Sequence, residues 1–207
     1  KAVNCTGRKA SDSEPCDKCA SCLSISSGSN FDVVEIDAAS NTGVDNVREN
    51  IIASARVVPS GSKFRVFIID EVHMLSISAW NALLKTLEEP PKNVIFILCT
   101  TEIHKVPATI ISRCERYDFK KISVADIVSK LQNIVSQEKV DVEREVLEAI
   151  ARQSDGHLRD AESLLGQVLS LGEKKITWDQ AELIVPKYHH NEVVDLLEFV
   201  SKKDTSQ

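Results

Sequence analysis

Residues 64–75 read FRVFIIDEVHML, an apolar run that stops abruptly at two carboxylates, Asp70 and Glu71. Phe64 to Ile69 is short, rich in β-branched and aromatic side chains, and free of polar alternation. That pattern reads as a strand covered on both faces, the kind found inside a parallel sheet. FDVVEID at 31–37, VIFILC at 94–99 and ERYDF at 115–119 read as three further strands, with VIFILC another central one. Helical patterns at Val44–Val57 and Ser78–Leu87 lie between them, joined through Pro59, Gly61 and the Pro90-Pro91 pair. Strands alternating with helices predict an α/β, three-layer fold with a parallel sheet.

Beyond about residue 120 the period changes from strand to helix. Ile127, Leu131, Ile134 and Val135 mark one helix, and Val146, Leu147 and Ile150 a second. Leu158, Ala161, Leu164, Leu165 and Val168 mark a third. A short fourth helix is expected over Trp178–Val185, with Thr177 as N-cap and Pro186 as stop, and another over Asn191–Lys202. The second region therefore reads as a small all-α unit.

The chain has 207 residues, 43% of them hydrophobic, with 25 basic and 31 acidic side chains for a formal charge of -6. These values exclude collagen-like, mucin-like and wholly disordered chains. The longest apolar stretch, Val94–Cys99, is far short of the roughly 20 residues a membrane-spanning helix needs. No membrane partner is expected, and with no apolar signal core in KAVNC at the start, the expected location is the cytoplasm. Net acidity argues against nonspecific coating of nucleic acid, while leaving room for a small basic surface that touches phosphates.

Four of the six cysteines, Cys5, Cys16, Cys19 and Cys22, follow a C-x10-C-x2-C-x2-C pattern. Two residues between cysteines let neighbouring thiolates converge on one tetrahedral Zn²⁺, and four thiolates with no open position make such a site structural. Free or disulfide-bonded cysteines in a loop are the bland reading. Cys99 and Cys114 stand apart and read as packing residues.

Open parallel sheets bind ligands at the carboxyl ends of their strands. In nucleotide hydrolases an acidic pair there holds Mg²⁺ through the first carboxylate and polarises the attacking water through the second. Asp70 and Glu71 fit that pattern, and a strand simply turning into solvent is the alternative. The next apolar strand ends in Thr100-Thr101, where a hydroxyl could reach a γ-phosphate or its water, or could cap the following helix. Arg113 follows a helix at the domain edge, placed either for a guanidinium supplied to a neighbouring subunit or for a structural salt bridge. His73, two residues after the pair, reads as a packing or hydrogen-bonding residue.

DEVHML, NALLKTLEEPP, TT-x5-P-x-TI-x-SRC and GHLRDAESLL, together with the cysteine insert, resemble the ATPase subunits of bacterial clamp loaders, the gamma/tau family of DNA polymerase III. The resemblance covers nearly the whole chain. It implies an AAA+ core over 1–119 with a zinc module at 5–22, a helical lid over 120–187, and the start of a collar domain over 188–207. It implies a motor in a ring with delta, delta-prime and further gamma/tau copies, which uses ATP and Mg²⁺ to place a sliding clamp on primed DNA. By the same likeness Asp70 is the Mg²⁺-associated acid, Glu71 the catalytic base, Thr101 the first sensor, Arg113 the trans-acting finger and Arg159 the lid's second sensor. Arg48, Lys85, Lys105 and Thr109 match positions that track duplex phosphates, with exposed solubilising residues as the alternative.

One family element is missing. A P-loop needs G-x-x-x-x-G-K-[ST], and none of the seven glycines precedes a lysine in that pattern. The resemblance therefore implies a fragment that starts after the P-loop, lacks a strand from the middle of the sheet, and binds ATP weakly or not at all. A catalytically inactive, delta-prime-like scaffold subunit is the rival within the machine. Outside it stand a zinc-containing binding module and an AAA+ helicase, the latter disfavoured by the cysteine insert.

Overall fold

A computed structural model describes residues 1–9, 11–40 and 43–185, apart from the side chains of Asn46 and Arg48. The chain divides into two compact units, Lys1–Tyr117 and Asp118–Gln207.

The first unit is built on a parallel three-stranded sheet in the order β1 (Val33–Asp37), β2 (Arg65–Asp70), β3 (Val94–Leu98). The register pairs Asp37 with Asp70 and Ile69 with Leu98, so all three strands end at one edge. Val66, Phe67 and Ile69 of β2 are buried, as expected of a central strand, and Phe67 stacks on Phe96 of β3 at 5.4 Å. Between β1 and β2 a helix, α2, begins as α over Val44–Asn46 and continues as π over Val47–Ala53. Its Val47 and Ile51 are buried with Ala79, Trp80 and Leu83 of α3 (Ile77–Glu88) in one core. Ser76 caps α3 by accepting the Ala79 N–H. A short α1 (Ala20–Ser26) precedes the sheet, and α4 (Ala108–Ile111) follows it.

Two sequence expectations are corrected here. Among the described residues Glu115–Phe119 is not a strand: every residue in it is exposed, with Phe119 98% accessible, and it belongs to neither sheet. Its alternation of charged and aromatic residues gives a β-like period without an apolar face to bury. β3, in turn, lies at the sheet's edge rather than its centre, and Ile97 is 44% exposed.

The opposite edge of the sheet is held by Asp32. Its carboxylate is buried and accepts backbone N–H bonds from Ser60, Gly61 and Ser62 at 3.0, 3.1 and 3.0 Å, with Arg65 Nη2 at 3.1 Å. Burial pushes this carboxyl up, but the donors prevail and bring its pKa from 3.8 down to about 2. Its contribution to stability is therefore complete above pH 3.8 and lost as pH falls toward 2. Asp32→Ala is expected to cost about 3–5 kcal/mol at neutral pH, because Arg65 would be left buried without its counter-charge. Urea unfolding of both proteins checks this, and the gap between their midpoints should narrow as the pH drops from 4 toward 2. A gap under about 1 kcal/mol at pH 7 would refute the anchor.

The second unit comprises α5 (Val124–Glu138), α6 (Arg144–Gln153), α7 (Leu158–Leu169) and α8 (Trp178–Ala181), with a small parallel pairing of β4 (Asp141–Val142) and β5 (Lys175–Ile176). Leu131, Leu147, Ile150, Leu165, Val168 and Ile176 are wholly or almost wholly buried in its core. Ser123 caps α5, and the Thr177 N–H donates to Gln180 Oε1 at the start of α8. The turn structure after Ala181 carries the chain to Val185, and the helix expected over Asn191–Lys202 lies outside the described residues. No helix among the described residues is long and apolar enough to cross a membrane.

Candidate nucleotide and metal sites

The carboxyl edge of the sheet gathers acids and hydroxyls from two strand ends. Asp70 closes β2, and its Oδ1 accepts the Glu71 N–H at 3.0 Å. Glu71 takes a left-handed backbone (φ 46°, ψ 41°), and its Oε2 accepts the Thr101 hydroxyl at 3.3 Å. The Cys99 N–H to Ile69 carbonyl and Val72 N–H to Cys99 carbonyl bonds, both 2.9 Å, hold the two strand ends together. Thus Glu71 and Thr101, thirty residues apart, share a hydrogen bond. Asp37, level with Asp70, is engaged by its own turn: the Ser40 hydroxyl and the Ala39 N–H each bind it at 2.8 Å and lower its pKa.

His73 binds more than the sequence disclosed. Its ring nitrogens reach Thr100 Oγ1 at 3.0 Å, Glu71 Oε2 at 3.3 Å and Glu102 Oε2 at 3.1 Å. Glu102 also accepts Lys105 Nζ at 2.7 Å, which holds its carboxyl below the usual range. Sequence reading names Thr100 only as the neighbour of Thr101 and does not name Glu102, whose local signal is its spacing of three residues from Lys105. Cys99 is half-buried beneath the acids, and burial, then the charges of Asp70 and Glu71, push its thiol up.

Of the other expected residues, Lys105 joins this cluster through its ion pair with Glu102. Arg113, past the end of α4, pairs with Glu88 Oε1 at 2.8 Å and donates to the Thr109 carbonyl. Lys85 is exposed in the last turn of α3, Thr109 is exposed on α4, and Lys105 is committed to Glu102. Arg48 lies in the π-helical stretch, with its side chain outside the described residues. Arg159 belongs to the other unit, exposed in the first turn of α7.

The second cluster is the cysteine module. The sulfurs of Cys5, Cys16, Cys19 and Cys22 all lie within 4.8 Å of one another, with Cys5 and Cys19 4.0 Å apart. Tetrahedral Zn–S bonds of about 2.3 Å would set the sulfurs about 3.8 Å apart, so the cluster needs only a small contraction to hold a metal. N–H groups of Cys16, Cys19 and Cys22 point at the sulfurs of Cys5, Cys16 and Cys19 at 3.3 to 3.4 Å. Bonds led by the Thr6 hydroxyl bring Cys19 to about 5, while burial drives Cys22 to about 12. Four thiolates this close repel one another, and a divalent cation is what would let all four ionise. Gly7 completes the cradle, since a Cβ there would lie 2.9 Å from Cys16 Sγ. The module is joined to the foot of the sheet by Asn4, whose side-chain amide donates to the Phe64 carbonyl and accepts the Phe64 N–H, both at 2.8 Å. Phe64 precedes β2 and Asp70 ends it, so this join lies at the end of the strand away from the acids.

A sequence profile described as "DNA polymerase III, delta subunit" matches residues 1–123, and one described as "DNA polymerase III clamp loader subunit, ATPase lid domain" matches 126–174. The chain belongs to the DNA polymerase III clamp-loader family. Within that family it is 54% identical over 184 residues to the tau subunit of Bacillus subtilis (strain 168), covering 89% of this chain and 32% of that protein. It is 39% identical over 199 residues to the tau subunit of Escherichia coli (strain K12), with coverages of 96% and 30%. The gamma subunit of Buchnera aphidicola (subsp. Baizongia pistaciae) is 37% identical over 204 residues, 99% of this chain and 54% of that one. The chain thus spans from under a third to about half of these clamp-loader relatives. Among solved structures, the RuvB Holliday junction branch migration motor of Thermotoga maritima superposes with a TM-score of 0.62 at 18% identity, over 79% of this chain and 54% of that one. That likeness shows the fold: an AAA+ α/β unit with a helical lid.

Proposed function

We propose that the full-length protein is a motor subunit of the DNA polymerase III clamp loader, using ATP binding and hydrolysis within a subunit ring to set a sliding clamp on primed DNA. Its partners would be delta, delta-prime and further gamma/tau copies. In this reading residues 1–119 are the AAA+ core with a zinc module at 5–22, residues 120–187 the lid, and 188–207 the start of a collar. The 207 residues alone, without a G-x-x-x-x-G-K-[ST] loop, would bind ATP weakly and not hydrolyse it.

The observation that carries the reading is the hydrogen bond between Thr101 and Glu71 beside Asp70, at the carboxyl edge of a parallel sheet. A bound magnesium nucleotide supplies the phosphorus to be attacked and the cation that offsets its charge. Asp70 presents exposed carboxylate oxygen, the donor that Mg²⁺ prefers. Glu71 would orient a water and accept its proton, and Thr101 would keep the Glu71 carboxylate turned to that task. Arg113 from a neighbouring copy and Arg159 from the lid would complete the charge around the phosphates. Arg48, Lys85, Lys105 and Thr109 would supply sequence-independent contacts to duplex phosphates.

The test is ATP turnover by the full-length protein, assembled with its partner subunits, with clamp and primed DNA added. Stimulated turnover supports the motor. A folded assembly whose nucleotide turnover is independent of this subunit supports the second reading, an inactive delta-prime-like scaffold, which the delta-subunit description of the profile over 1–123 favours.

The zinc module would be structural, holding the amino-terminal segment on the sheet through Asn4. One Zn²⁺ per chain is expected by metal analysis. Gly7→Ala should weaken its retention against a competing chelator by roughly 10- to 100-fold, as changes around a metal's ligands generally do. Unaltered retention would show that the Gly7 contact with Cys16 is not part of the site.

A further inference from the structure

The four sulfurs of the cysteine module are not equally free to react. Cys22 is wholly buried. Cys16, though partly exposed, has the Gly7 backbone packed on it, so close that a Cβ there would lie 2.9 Å from its sulfur. Cys5 and Cys19 are also partly exposed, and their sulfurs face each other at 4.0 Å. The two come from segments held in different ways. Cys5 directly follows Asn4, which is fixed to Phe64 by two bonds of 2.8 Å. Cys19 is the N-cap of α1, a helix of only seven residues, and its sulfur accepts the Cys22 N–H at 3.4 Å.

We propose that Cys5 and Cys19 are a peroxide-sensitive pair, which closes to a disulfide on oxidation, empties the metal site and uncaps α1; this rests on the zinc reading above and adds a modification to it. The first thiolate of the pair to meet a hydroperoxide attacks its oxygen. The O–O bond breaks, the sulfur becomes a sulfenic acid, and the leaving oxygen takes a proton. The second thiolate then attacks that sulfur: the S–O bond breaks, the S–S bond forms, and hydroxide leaves to be protonated. Two thiolates are thereby oxidised by two electrons, and one peroxide is reduced. A disulfide needs its sulfurs about 2.05 Å apart, so this pair must close by about 2 Å. Asn4 holds Cys5 on the sheet, so Cys19 makes the larger move and leaves its place over the Cys22 N–H. Cys16 and Cys22 alone are too few donors for a four-coordinate structural site. A thiol reductant reverses the reaction, because no sulfur has passed the disulfide level.

The test is a hydrogen peroxide titration of the wild-type full-length protein, with metal release followed by a colour-forming chelator and the cysteines mapped by mass spectrometry after alkylation. The expected result is loss of the one Zn²⁺ per chain together with a fall in mass of about 2 Da, the two hydrogens a disulfide removes from two thiols. The map should show Cys5 linked to Cys19, with Cys16 and Cys22 open to alkylation. Reductant with added zinc should restore the starting mass and metal content. Hydrogen exchange gives an independent reading: loss of a helix cap should speed exchange of the α1 amides by roughly 2- to 30-fold. The amides of β2 should keep their protection, because the Asn4 join is retained. The proposal is overturned if the metal stays bound while the exposed Cys114 is oxidised, or if the map joins any other pair in the module. A full-length protein that carries no zinc before oxidation would instead sink the zinc reading and the release with it, while the map alone would still decide the disulfide.

Discussion

Arg113→Ala in the full-length subunit is expected to lower ATP turnover of the assembled complex by about 10³- to 10⁵-fold, the worth of a guanidinium that meets phosphoryl-transfer charge from a neighbouring subunit. The geometry argues that this arginine can leave its present place. Its pair with Glu88 is exposed on both sides, 36% and 48%, and pairs of that kind are worth about 0–1 kcal/mol. A phosphate presented across a subunit boundary would displace Glu88 with a bidentate, charge-assisted contact. Glu88→Gln separates the two roles: it should leave turnover near the wild-type level if Arg113 acts in trans. Mixing Arg113→Ala subunits with wild-type ones should lower turnover with the fraction of interfaces spoiled. Turnover within a few-fold of wild type for Arg113→Ala would leave the arginine as a surface salt bridge.

Glu71→Gln carries the second large effect. Removing a positioned general base typically costs about 10²- to 10⁴-fold in the chemical step, and the amide keeps the size and the hydrogen bond from Thr101. Nucleotide affinity of the assembled subunit should be nearly unchanged, because Glu71 is proposed to act on the water rather than on the nucleotide. The signature is therefore a fall in kcat with KM for ATP held. Equal losses of binding and turnover would mean that the substitution had disturbed the edge as a whole, and full turnover would remove Glu71 as the base.

The sheet was legible because its strands are written in the plainest terms, with FRVFII and FDVVEID bounded by acids or turn residues and separated by helical patterns. The cysteine module was legible by spacing alone, and the fold brings all four sulfurs together. Other features had no local signal. ERYDF has a strand's period but, among the described residues, no strand alongside it and no buried face, and period alone cannot express that. VIFILC looks central because apolar composition reports burial propensity, not position within the sheet. Asp32 sits inside what reads as a strand, and the N–H groups that stabilise it come from residues 60–62, so only the fold connects them. Likewise, a histidine two residues beyond an acidic pair carries no hint that Glu102, twenty-nine positions later, meets its far nitrogen.

The backbone at Glu71 sets two demands on the sequence against each other. With φ at 46°, an L-residue bearing a Cβ sits about 1–2 kcal/mol above its relaxed conformations, a cost that glycine escapes and asparagine largely reduces. A sequence chosen for stability alone would therefore place Gly or Asn at this position. In the ATPase reading glutamate is kept there because the same left-handed turn swings its carboxylate back to Thr101. Stabilising the fold by relaxing residue 71 would remove the group whose placement the strain makes possible, so at this one position durability and turnover cannot be improved together.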